Sequence, residues 1–368
     1  MKTALIHYWL TNMRGGENVL AEFCHLFPDA DIFTHAWNPA AVREPFVRHK
    51  ITETFIAELP GARKNAQKYL PLMPAALRRL DLRDYDFILS SESGPAKGVR
   101  KRPGAVHVCY CHTPMRYLWD MYEDYYRSAG IAGKLAMTIF KKPLRRYDLQ
   151  SAQGVDHFIA NSHFVAERIN RIYHRAAEVV HPPADVEFFS KPAENSGEAP
   201  CYLFVGQLIP YKRPELALEA CRKMKRRLIV VGDGPLRDCL QRKYAADDVV
   251  FTGRSPQEKL RELYAGARAL LFPGVEDFGI VPVEAQAAGT PVIALGCGGA
   301  LETVVNGKTG LFFAEQTVES LCGAIEEFES CKFSRTAIME HAKTFSPEKF
   351  RSNLLAALAR AGWDPMRT

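Results

Sequence analysis

The sequence predicts an α/β protein built from two doubly wound domains. Three observations favour this fold class. Short apolar segments of strand length alternate with segments of helical periodicity, most apolar segments end in small or polar residues, and the alternation stops at a proline-rich stretch and then restarts. At 368 residues, the chain can hold two domains of roughly 150 to 200 residues each. Ligands are expected at the carboxyl ends of the strands.

The N-terminal half opens with an apolar strand at residues 3–9, a polar glycine loop at 11–16 and a helical pattern at 17–27. This order is the start of a parallel β-loop-α arrangement. The N-terminal domain is assigned to residues 1–185. Three further strands are predicted in it, at residues 87–89, 106–110 and 157–160.

A stretch rich in proline, acidic and small residues, 186–199, is interpreted as a linker between the domains. The C-terminal domain is assigned to 200–346, and a helix in residues 347–368 is expected to cross back to the N-terminal domain. Strands of the second domain are predicted at 202–205, 228–231, 249–252, 269–272 and 291–294.

The composition limits the classes of partner. A net charge of +6 is mildly basic and lacks the clustered excess that nucleic-acid binding requires, so anionic small molecules or an anionic membrane surface fit better. Nine cysteines follow no zinc or disulfide spacing, which favours a reducing cytoplasm. No apolar window approaches the 18 residues or so that span a bilayer.

The strongest candidate site is the segment FPGVEDFGIVPVEA at residues 272–285. A strand leads into a glycine loop, and a helix follows with Pro282 near its first turn, where the free amide groups favour a phosphate. Glu276 lies in the loop, and Glu284 lies in the helix, where a carboxylate can bind a pair of hydroxyls. Either glutamate alone is equally explained as a solvated acid or a helix-start charge.

The chain continues with AGTPVIA at 288–294, Gly298-Gly299 and Glu302. At this point it resembles the large family 4 of retaining glycosyltransferases, with the GT-B fold of two Rossmann-like domains facing each other across a cleft. The resemblance covers most of the C-terminal half and parts of the N-terminal half.

The resemblance implies a role for each part of this segment. Glu276 would contact the donor sugar, and Glu284 would hold the ribose hydroxyls of the nucleotide. The loop between them would supply amides to the sugar hydroxyls and the diphosphate. The loop residues implied in donor binding are Phe278, Gly279, Ile280 and Val281.

The segment VGQLIPYKR at 205–213 resembles the family's strand-end loop, whose cations neutralise the donor diphosphate. Lys212 matches the family lysine. Gln207 stands where the family usually has arginine, and Arg213 is expected to compensate. With these cations, neither a metal ion nor an organic cofactor is expected. The alternative for Lys212 and Arg213 is an exposed pair at a helix start.

Two further segments of the C-terminal half match the family. Gly232, in VVGDGP at 230–235, would lie close to the nucleotide, although a simple β-α turn explains this sequence equally well. Gly253 and Arg254, in FTGR at 251–254, would line the base pocket.

In the N-terminal half, Gly15 and Gly16 follow the first strand as the family's glycine pair does. They would let the backbone approach the donor phosphate or the acceptor closely. His112, in YCHTP at 110–114, matches the family histidine that faces the reacting sugar, although a lone histidine is more often structural. The implied catalytic residues are therefore His112, Glu276 and Lys212.

The implied reaction is hexose transfer with retention, by front-face attack. Segments 206–213 and 110–117 resemble a bacterial subgroup that builds lipopolysaccharide O-antigen or exopolysaccharide, often with GDP-mannose. This implies mannose transfer to a lipid-linked or saccharide acceptor. A GDP-deoxysugar or a UDP-hexose stays open, as does an inactive sugar-nucleotide-binding protein, for which Gln207 argues.

Two basic stretches interleaved with apolar residues, 63–83 and 134–146, are typical of segments that lie on an anionic leaflet. The alternative is an ordinary helix with a solvated basic face. We therefore expect a cytoplasmic protein, peripheral on the inner face of the cell membrane.

Overall fold

The structure, a computed structural model, describes residues 1–42, 44–192, 201–246 and 248–364. It divides into two compact units. The first comprises Met1–Pro182 and the residues from Phe350 onward, and the second comprises Pro183–Lys349.

This division differs from the predicted linker at 186–199. Residues Val186–Ser190 form a helix, and Val186 and Phe189 are buried in the core of the second unit. The proline and acidic residues on either side of this short helix gave the stretch its linker-like composition. Residues 193–199 of the predicted linker lie outside the described residues.

The first unit contains a parallel seven-stranded sheet in the order β3-β2-β1-β4-β5-β6-β7. The four predicted strands are present, and three short ones were not predicted: β2, β3 and β7. The strands are β1 (Thr3–His7), β2 (Asp31–Thr34), β3 (Ile51–Glu53), β4 (Phe87–Glu92), β5 (Val106–Cys111), β6 (His157–Ala160) and β7 (Ala177–Val179).

Helices flank this sheet, and β1 is buried along its whole length, as expected for a central strand of a doubly wound sheet. The α-helices are α1 (Gly15–Leu26), α2 (Met73–Arg78), α3 (Tyr122–Ser128), α4 (Ile131–Gln153) and α5 (His163–Tyr173). Short 3₁₀ segments occur at Phe46–Arg48, Phe55–Glu58 and Ala66–Leu72.

The second unit contains a parallel six-stranded sheet in the order β10-β9-β8-β11-β12-β13. All five predicted strands are present, and β13 was not predicted. The strands are β8 (Cys201–Val205), β9 (Leu228–Val231), β10 (Val249–Gly253), β11 (Ala267–Phe272), β12 (Val292–Leu295) and β13 (Gly310–Phe313).

The remaining helices follow in chain order. They are α6 (Val186–Ser190), α7 (Pro214–Met224), α8 (Arg237–Tyr244), α9 (Gln257–Gly266), α10 (Ile280–Ala287), α11 (Ala300–Thr303), α12 (Val318–Ser330), α13 (Arg335–Ala342) and α14 (Pro347–Arg360). Two 3₁₀ segments, Pro210–Lys212 and Lys343–Phe345, also belong to the second unit.

Helix α14 begins in the second unit and continues in the first. Within the first unit, the Phe350 ring stacks on Phe23 of α1 at 6.3 Å and meets Tyr110 of β5 edge-on at 5.9 Å. Phe350, Leu354, Leu358 and Ala361 are therefore part of the first hydrophobic core. Among the described residues, no helix is both long and apolar enough to cross a bilayer.

Each sheet has one point where the strand order reverses. In the first unit it lies between β1 and β4, and in the second between β8 and β11. Loops that follow the two strands at such a point run in opposite directions and leave a crevice, where ligands of doubly wound sheets bind. The segments after β1, β4, β8 and β11 are therefore the places to look for a site.

Candidate active site

The loops after β8 and β11 carry the strongest predicted residues, and they touch each other. The 3₁₀ segment Pro210–Lys212 follows β8, and the loop 273–279 follows β11. A Cβ atom at Gly274 would lie 2.8 Å from the Cα atom of Lys212, closer than real Cβ contacts allow. The bare backbone at this position lets the two loops pack together.

Lys212 and Glu276 form an ion pair across this junction. Their side chains are only 17% and 13% exposed, so each charge compensates the other where water is scarce. The sequence predicts separate roles for the two residues, and the structure brings them into direct contact.

Arg213 and Gln207 are the other predicted donor-binding residues of the basic loop. Arg213 adopts a left-handed backbone with φ of 54° between the 3₁₀ segment and α7, and its Nε atom lies 3.4 Å from Glu215 Oε1. Its side chain is 40% exposed. Gln207 is exposed to solvent, and its carbonyl oxygen accepts a hydrogen bond from the Ile209 amide at 3.0 Å.

Helix α10 starts directly behind the Glu276 loop. Gly279 precedes it with φ of 97°, a conformation that favours glycine, and as the N-cap residue it provides no side-chain cap. The amides of the first turn, including those of Ile280 and Val281, carry the positive end of the helix dipole. A phosphate group is the type of ligand that such amides bind.

Phe345 and Gly299 contact the loop between Glu276 and α10 and support it. The Phe278 ring is buried and packs edge-on against Phe345 at 5.6 Å. The Gly299 amide donates a hydrogen bond to the Glu276 carbonyl at 2.8 Å. A Cβ atom at Gly299 would lie 2.5 Å from the Phe278 carbonyl carbon, so only glycine fits. The Gly298-Gly299 pair of the sequence therefore supports the loop.

Glu284 lies on α10 with its carboxylate largely removed from water. Tyr264 of α9 donates a hydrogen bond to Glu284 Oε2 at 3.0 Å. Burial raises the pKa of Glu284 to about 7, and the negative charge of Asp185 adds to the increase, while the Tyr264 hydrogen bond opposes it. Tyr264 and Asp185 were not predicted as part of the site.

The raised pKa of Glu284 predicts a pH-dependent stability. The folded protein retains this proton between the ordinary glutamate pKa and about 7, so stability is lost as the pH rises through that window. We expect Glu284→Gln to increase the free energy of unfolding by about 1–3 kcal/mol near pH 8 and to change it little near pH 4. Urea unfolding at both pH values measures this. Equal effects at the two pH values would contradict it.

Gly206 after β8, Gly232 after β9 and Gly253 at the end of β10 pack backbone against backbone. The Gly232 amide donates to the Gly253 carbonyl at 2.8 Å, and a Cβ atom at Gly232 would overlap the Gly206 carbonyl oxygen. Gly232, with φ of 136°, thus has a structural role in the turn. Its predicted role beside the nucleotide stays a prediction, as does that of Arg254, which is exposed.

The other predicted residues belong to the first unit. Gly15 is the first residue of α1, and Gly16 follows it. A Cβ atom at Gly16 would overlap the Tyr8 hydroxyl group and would lie 3.6 Å from Nε2 of His112. The second glycine therefore allows α1 to begin directly beside this histidine.

His112 lies just beyond β5. Its amide donates to the Glu92 carbonyl at 2.8 Å, and its Nε2 atom lies 2.8 Å from the Ser91 hydroxyl oxygen. Ser91 in turn contacts Nδ1 of His7 at 3.0 Å. A link from Ser91 to His112 was not predicted from the sequence.

The acidic residues do not form an evident metal centre. Among the described residues, no group of three or more His, Cys, Asp or Glu side chains is arranged to hold a metal ion. The sequence contains Asp-x-Asp triplets at 29–31 and 84–86. Both lie at the amino ends of strands, β2 and β4. His112 instead follows the carboxyl end of β5, which is parallel to β4.

The two basic stretches differ in structure. In 63–83 the apolar residues Met73 and Leu77 are buried in the core, so this stretch is no exposed amphipathic helix. In 134–146 the chain forms part of the long helix α4, with Leu135 61% and Ile139 56% exposed. The burial of Met73 and Leu77 favours the alternative of an ordinary helix for the first stretch, although Leu72 is 45% exposed.

Two family models match consecutive parts of the chain. Residues 13–188 match "Glycosyltransferase Family 4", and residues 185–345 match "Glycosyl transferases group 1". Together with the two doubly wound units, these matches show the GT-B fold that such glycosyltransferases have. The chain is therefore similar to glycosyltransferases of these two families along most of its length.

Single relatives match a smaller part of the chain, at about 30% identity. A D-inositol 3-phosphate glycosyltransferase of Mycobacteroides abscessus is 30% identical over an alignment of 237 residues, and the alignment covers 58% of this chain and 53% of that protein. The match thus spans about half the length of this curated relative.

Solved structures share the fold along nearly the whole chain. Anabaena Alr3699/HepE in complex with UDP-glucose has a TM-score of 0.68 at 16% identity, covering 98% of this chain and 100% of that one. The lipopolysaccharide outer core galactosyltransferase WaaB has a TM-score of 0.66 at 16% identity, covering 98% and 99%.

Proposed function

We propose that the chain transfers a hexose from a nucleoside-diphosphate sugar to an acceptor with retention at the anomeric carbon. The observation that carries this proposal is the Lys212–Glu276 ion pair beside the uncapped first turn of α10. It combines a cation, a carboxylate and free amides at the point where the strand order reverses.

In the proposed reaction the bond between the anomeric carbon and the diphosphate oxygen breaks, and a bond to the acceptor oxygen forms on the same face. The acceptor proton passes to the departing phosphate oxygen. Lys212, Arg213 and the amides of residues 279–281 would neutralise the leaving diphosphate. Gln207 carries no charge, so Arg213 would provide the second cation.

Glu276 would give up part of its contact with Lys212 when the diphosphate binds, and it would accept hydrogen bonds from the donor sugar. Glu284 would hold the ribose hydroxyls, and Phe278, Gly232, Gly253 and Arg254 would shape the nucleotide pocket. In the first unit, His112 would orient the sugar or stabilise positive charge near its ring carbon. Gly15 and Gly16 would allow close backbone approach to the substrate.

For the donor we propose GDP-mannose, on the basis of segments 206–213 and 110–117. A UDP-sugar is a second candidate, because the structurally similar Alr3699/HepE was solved with UDP-glucose. The proposed acceptor is a lipid-linked or saccharide intermediate of cell-surface polysaccharide synthesis. An inositol phosphate is a second candidate acceptor, given the name of the Mycobacteroides abscessus relative.

A donor panel tests this function. Purified protein is incubated with GDP-mannose, UDP-glucose or UDP-N-acetylglucosamine, with and without EDTA, and nucleotide release is measured by chromatography. We expect release from one donor, unaffected by EDTA, since the proposed leaving-group stabilisation uses side chains and amides. Binding of a nucleotide sugar without turnover, even with saccharide, polyprenyl-diphosphate and inositol phosphate acceptors, would indicate an inactive binding protein instead.

A lipid-linked acceptor requires access to a membrane, and helix α4 has a surface suited to it. Ile131, Leu135 and Ile139 follow one another at four-residue intervals, which places them on one face, and they are 90%, 61% and 56% exposed. The exposed cations Lys142 and Arg146 lie on the same helix. We propose that this face docks on the anionic inner leaflet of a cell membrane.

We expect the protein to co-sediment with vesicles that contain phosphatidylglycerol and not with pure phosphatidylcholine vesicles. The double change Leu135→Ser and Ile139→Ser should weaken this binding about tenfold or more, because it removes two apolar side chains that would enter the interface. Leu301→Ser, at a leucine that is 56% exposed in the second unit, is the control. Equal binding by all variants would exclude α4 as the docking face.

A further inference from the structure

A basic cleft lies in the first unit, between two connecting segments. Residues 79–83 belong to the connection between α2 and β4, and residues 100–103 belong to the connection between β4 and β5. Together they line a cleft of about 520 Å³, a size that is common among small-molecule sites. The charged residues that line it are five cations and one acid: Arg79, Arg83, Arg100, Lys101, Arg102 and Asp81.

The cleft is remote from the predicted catalytic residue of this unit. Strands β4 and β5 are parallel, and their first residues, Phe87 and Val106, are partners in the sheet. The cleft therefore lies at the amino ends of these strands, whereas His112 follows the carboxyl end of β5. The length of β5 alone separates the two places by roughly 17 Å. A small ligand in the cleft would not reach His112.

Three of the five cations already have an acidic partner. The ion pairs are Lys101–Asp156, Arg102–Asp86 and Arg83–Asp81. The negative charge of Asp84 also acts on Arg83. An anion that enters the cleft would therefore be bound mainly by the two cations that remain.

These two cations are Arg79 and Arg100, one from each segment. Among the described residues, neither guanidinium group has an ion-pair or hydrogen-bond partner. The Arg79 guanidinium carbon lies 5.0 Å from the centre of the Phe55 ring, a contact that orients the group and leaves its N–H donors available. The Arg100 side chain is exposed to solvent.

Guanidinium groups bind phosphate oxygens through pairs of parallel hydrogen bonds. Two uncompensated arginines can each bind one phosphate group, so two linked phosphates match the cleft better than a single phosphate or a carboxylate. We propose that the basic cleft binds a diphosphate group and is a second anion site, separate from the Lys212 site of the second unit. A soluble diphosphate and a diphosphate on a lipid carrier share this chemistry. The inference does not depend on the proposed glycosyl transfer.

Chemical footprinting of the full chain tests this site. Phenylglyoxal modifies accessible arginine side chains, and mass spectrometry of the peptides gives the rate at each position. We expect inorganic pyrophosphate to slow the modification of Arg79 and Arg100 about fivefold or more, by occupying the cleft. Sodium chloride of equal ionic strength should protect them much less. Arg127, an exposed residue of α3 outside the cleft, should react at the same rate in both solutions.

Substitutions test whether one ligand bridges the two segments. In Arg100→Gln, pyrophosphate should lose most of its protection of Arg79, and in Arg79→Gln it should lose most of its protection of Arg100. Arg78→Gln is the matched control, because Arg78 is exposed and adjacent to Arg79 but does not line the cleft. It makes the same change in charge and should leave both protections nearly unchanged. All three side chains are exposed, so the variants should fold.

Vesicles distinguish the two sources of the diphosphate. Phosphatidylcholine vesicles that contain a polyprenyl diphosphate are compared with vesicles in which phosphatidylglycerol supplies the same negative charge. Protection by the first vesicles at a lower diphosphate concentration than free pyrophosphate requires would support a lipid-carried group. Protection by pyrophosphate with no such gain would support a soluble one.

Four outcomes would overturn the proposal. Pyrophosphate could protect no better than sodium chloride, or Arg127 could be protected as much as the two cleft arginines. Arg78→Gln could abolish protection as the cleft variants do, or phosphatidylglycerol vesicles could protect as well as the diphosphate vesicles. Each of these would show general attraction of anions to a basic surface. Absence of glycosyl transfer would refute the proposed function and leave the footprinting result unaffected.

Discussion

Replacing Lys212 by methionine is expected to lower kcat for donor turnover about 100- to 1,000-fold while the protein stays folded. Methionine keeps the length of the side chain and removes the charge that would stabilise the leaving diphosphate. The loss should be larger than for an ordinary surface cation, because the Lys212 side chain is only 17% exposed and its field is poorly screened by water. Steady-state kinetics with the accepted donor measures the effect.

Lys223→Met is the control for this substitution. Lys223 forms an ion pair with Glu319 at 3.3 Å in the same unit, but the two side chains are 57% and 75% exposed. An exposed ion pair of this kind contributes little to stability, and Lys223 has no proposed role in donor binding. This variant should therefore retain full activity. Glu276→Ala, which removes the other half of the buried pair, should abolish transfer as Lys212→Met does. Near-normal turnover by either variant would show that the ion pair is structural.

Replacing Gly299 by alanine is expected to displace the donor loop and to lower both stability and turnover. The backbone of Gly299, with φ of −64° and ψ of −15°, suits alanine, so the effect would be purely steric. The added methyl group would overlap the Phe278 backbone and break the Gly299–Glu276 hydrogen bond of 2.8 Å. We expect a loss of about 2 kcal/mol in the free energy of unfolding and at least a tenfold loss of kcat/KM.

Gly323→Ala provides the comparison. Gly323 lies inside α12, and a Cβ atom there would have no neighbour within 4 Å. Alanine should stabilise this helix by about 0.5–1 kcal/mol and leave turnover unchanged. If Gly299→Ala behaved in the same way as Gly323→Ala, the donor loop would not depend on its support by Gly299.

The predicted strands are apolar, and most end in small or polar residues. Strands β3, β7 and β13 were not predicted, and they lie at the edges of the sheets and have only three or four residues each. Short edge strands bury little, so their hydrophobic pattern is weak. The missed strand β2 also has only four residues.

The site was predicted in part. The loop with Glu276 and the segment with Lys212 were both found, since glycines and charged residues directly after strands give a strong local signal. Their contact was not foreseen, because β8 and β11 are neighbours in the sheet but are not consecutive in the chain. Tyr264 and Ser91 were missed for a similar reason: each acts through a partner from another element.

Amphipathic patterning was the least reliable signal. The basic stretches 63–83 and 134–146 look alike in sequence, yet Met73 in the first is buried and Leu135 in the second is exposed. Periodicity identifies an apolar face, but only the surrounding fold determines whether another element covers that face.

The most direct test of the donor site is a crystal structure of the protein soaked with the nucleoside diphosphate of its accepted donor. We predict that the diphosphate contacts the Lys212 ammonium group and the amides of residues 279–281, with the ribose hydroxyls on Glu284. A nucleotide bound away from the carboxyl ends of β8 and β11, or bound without contact to Lys212, would contradict the central claim.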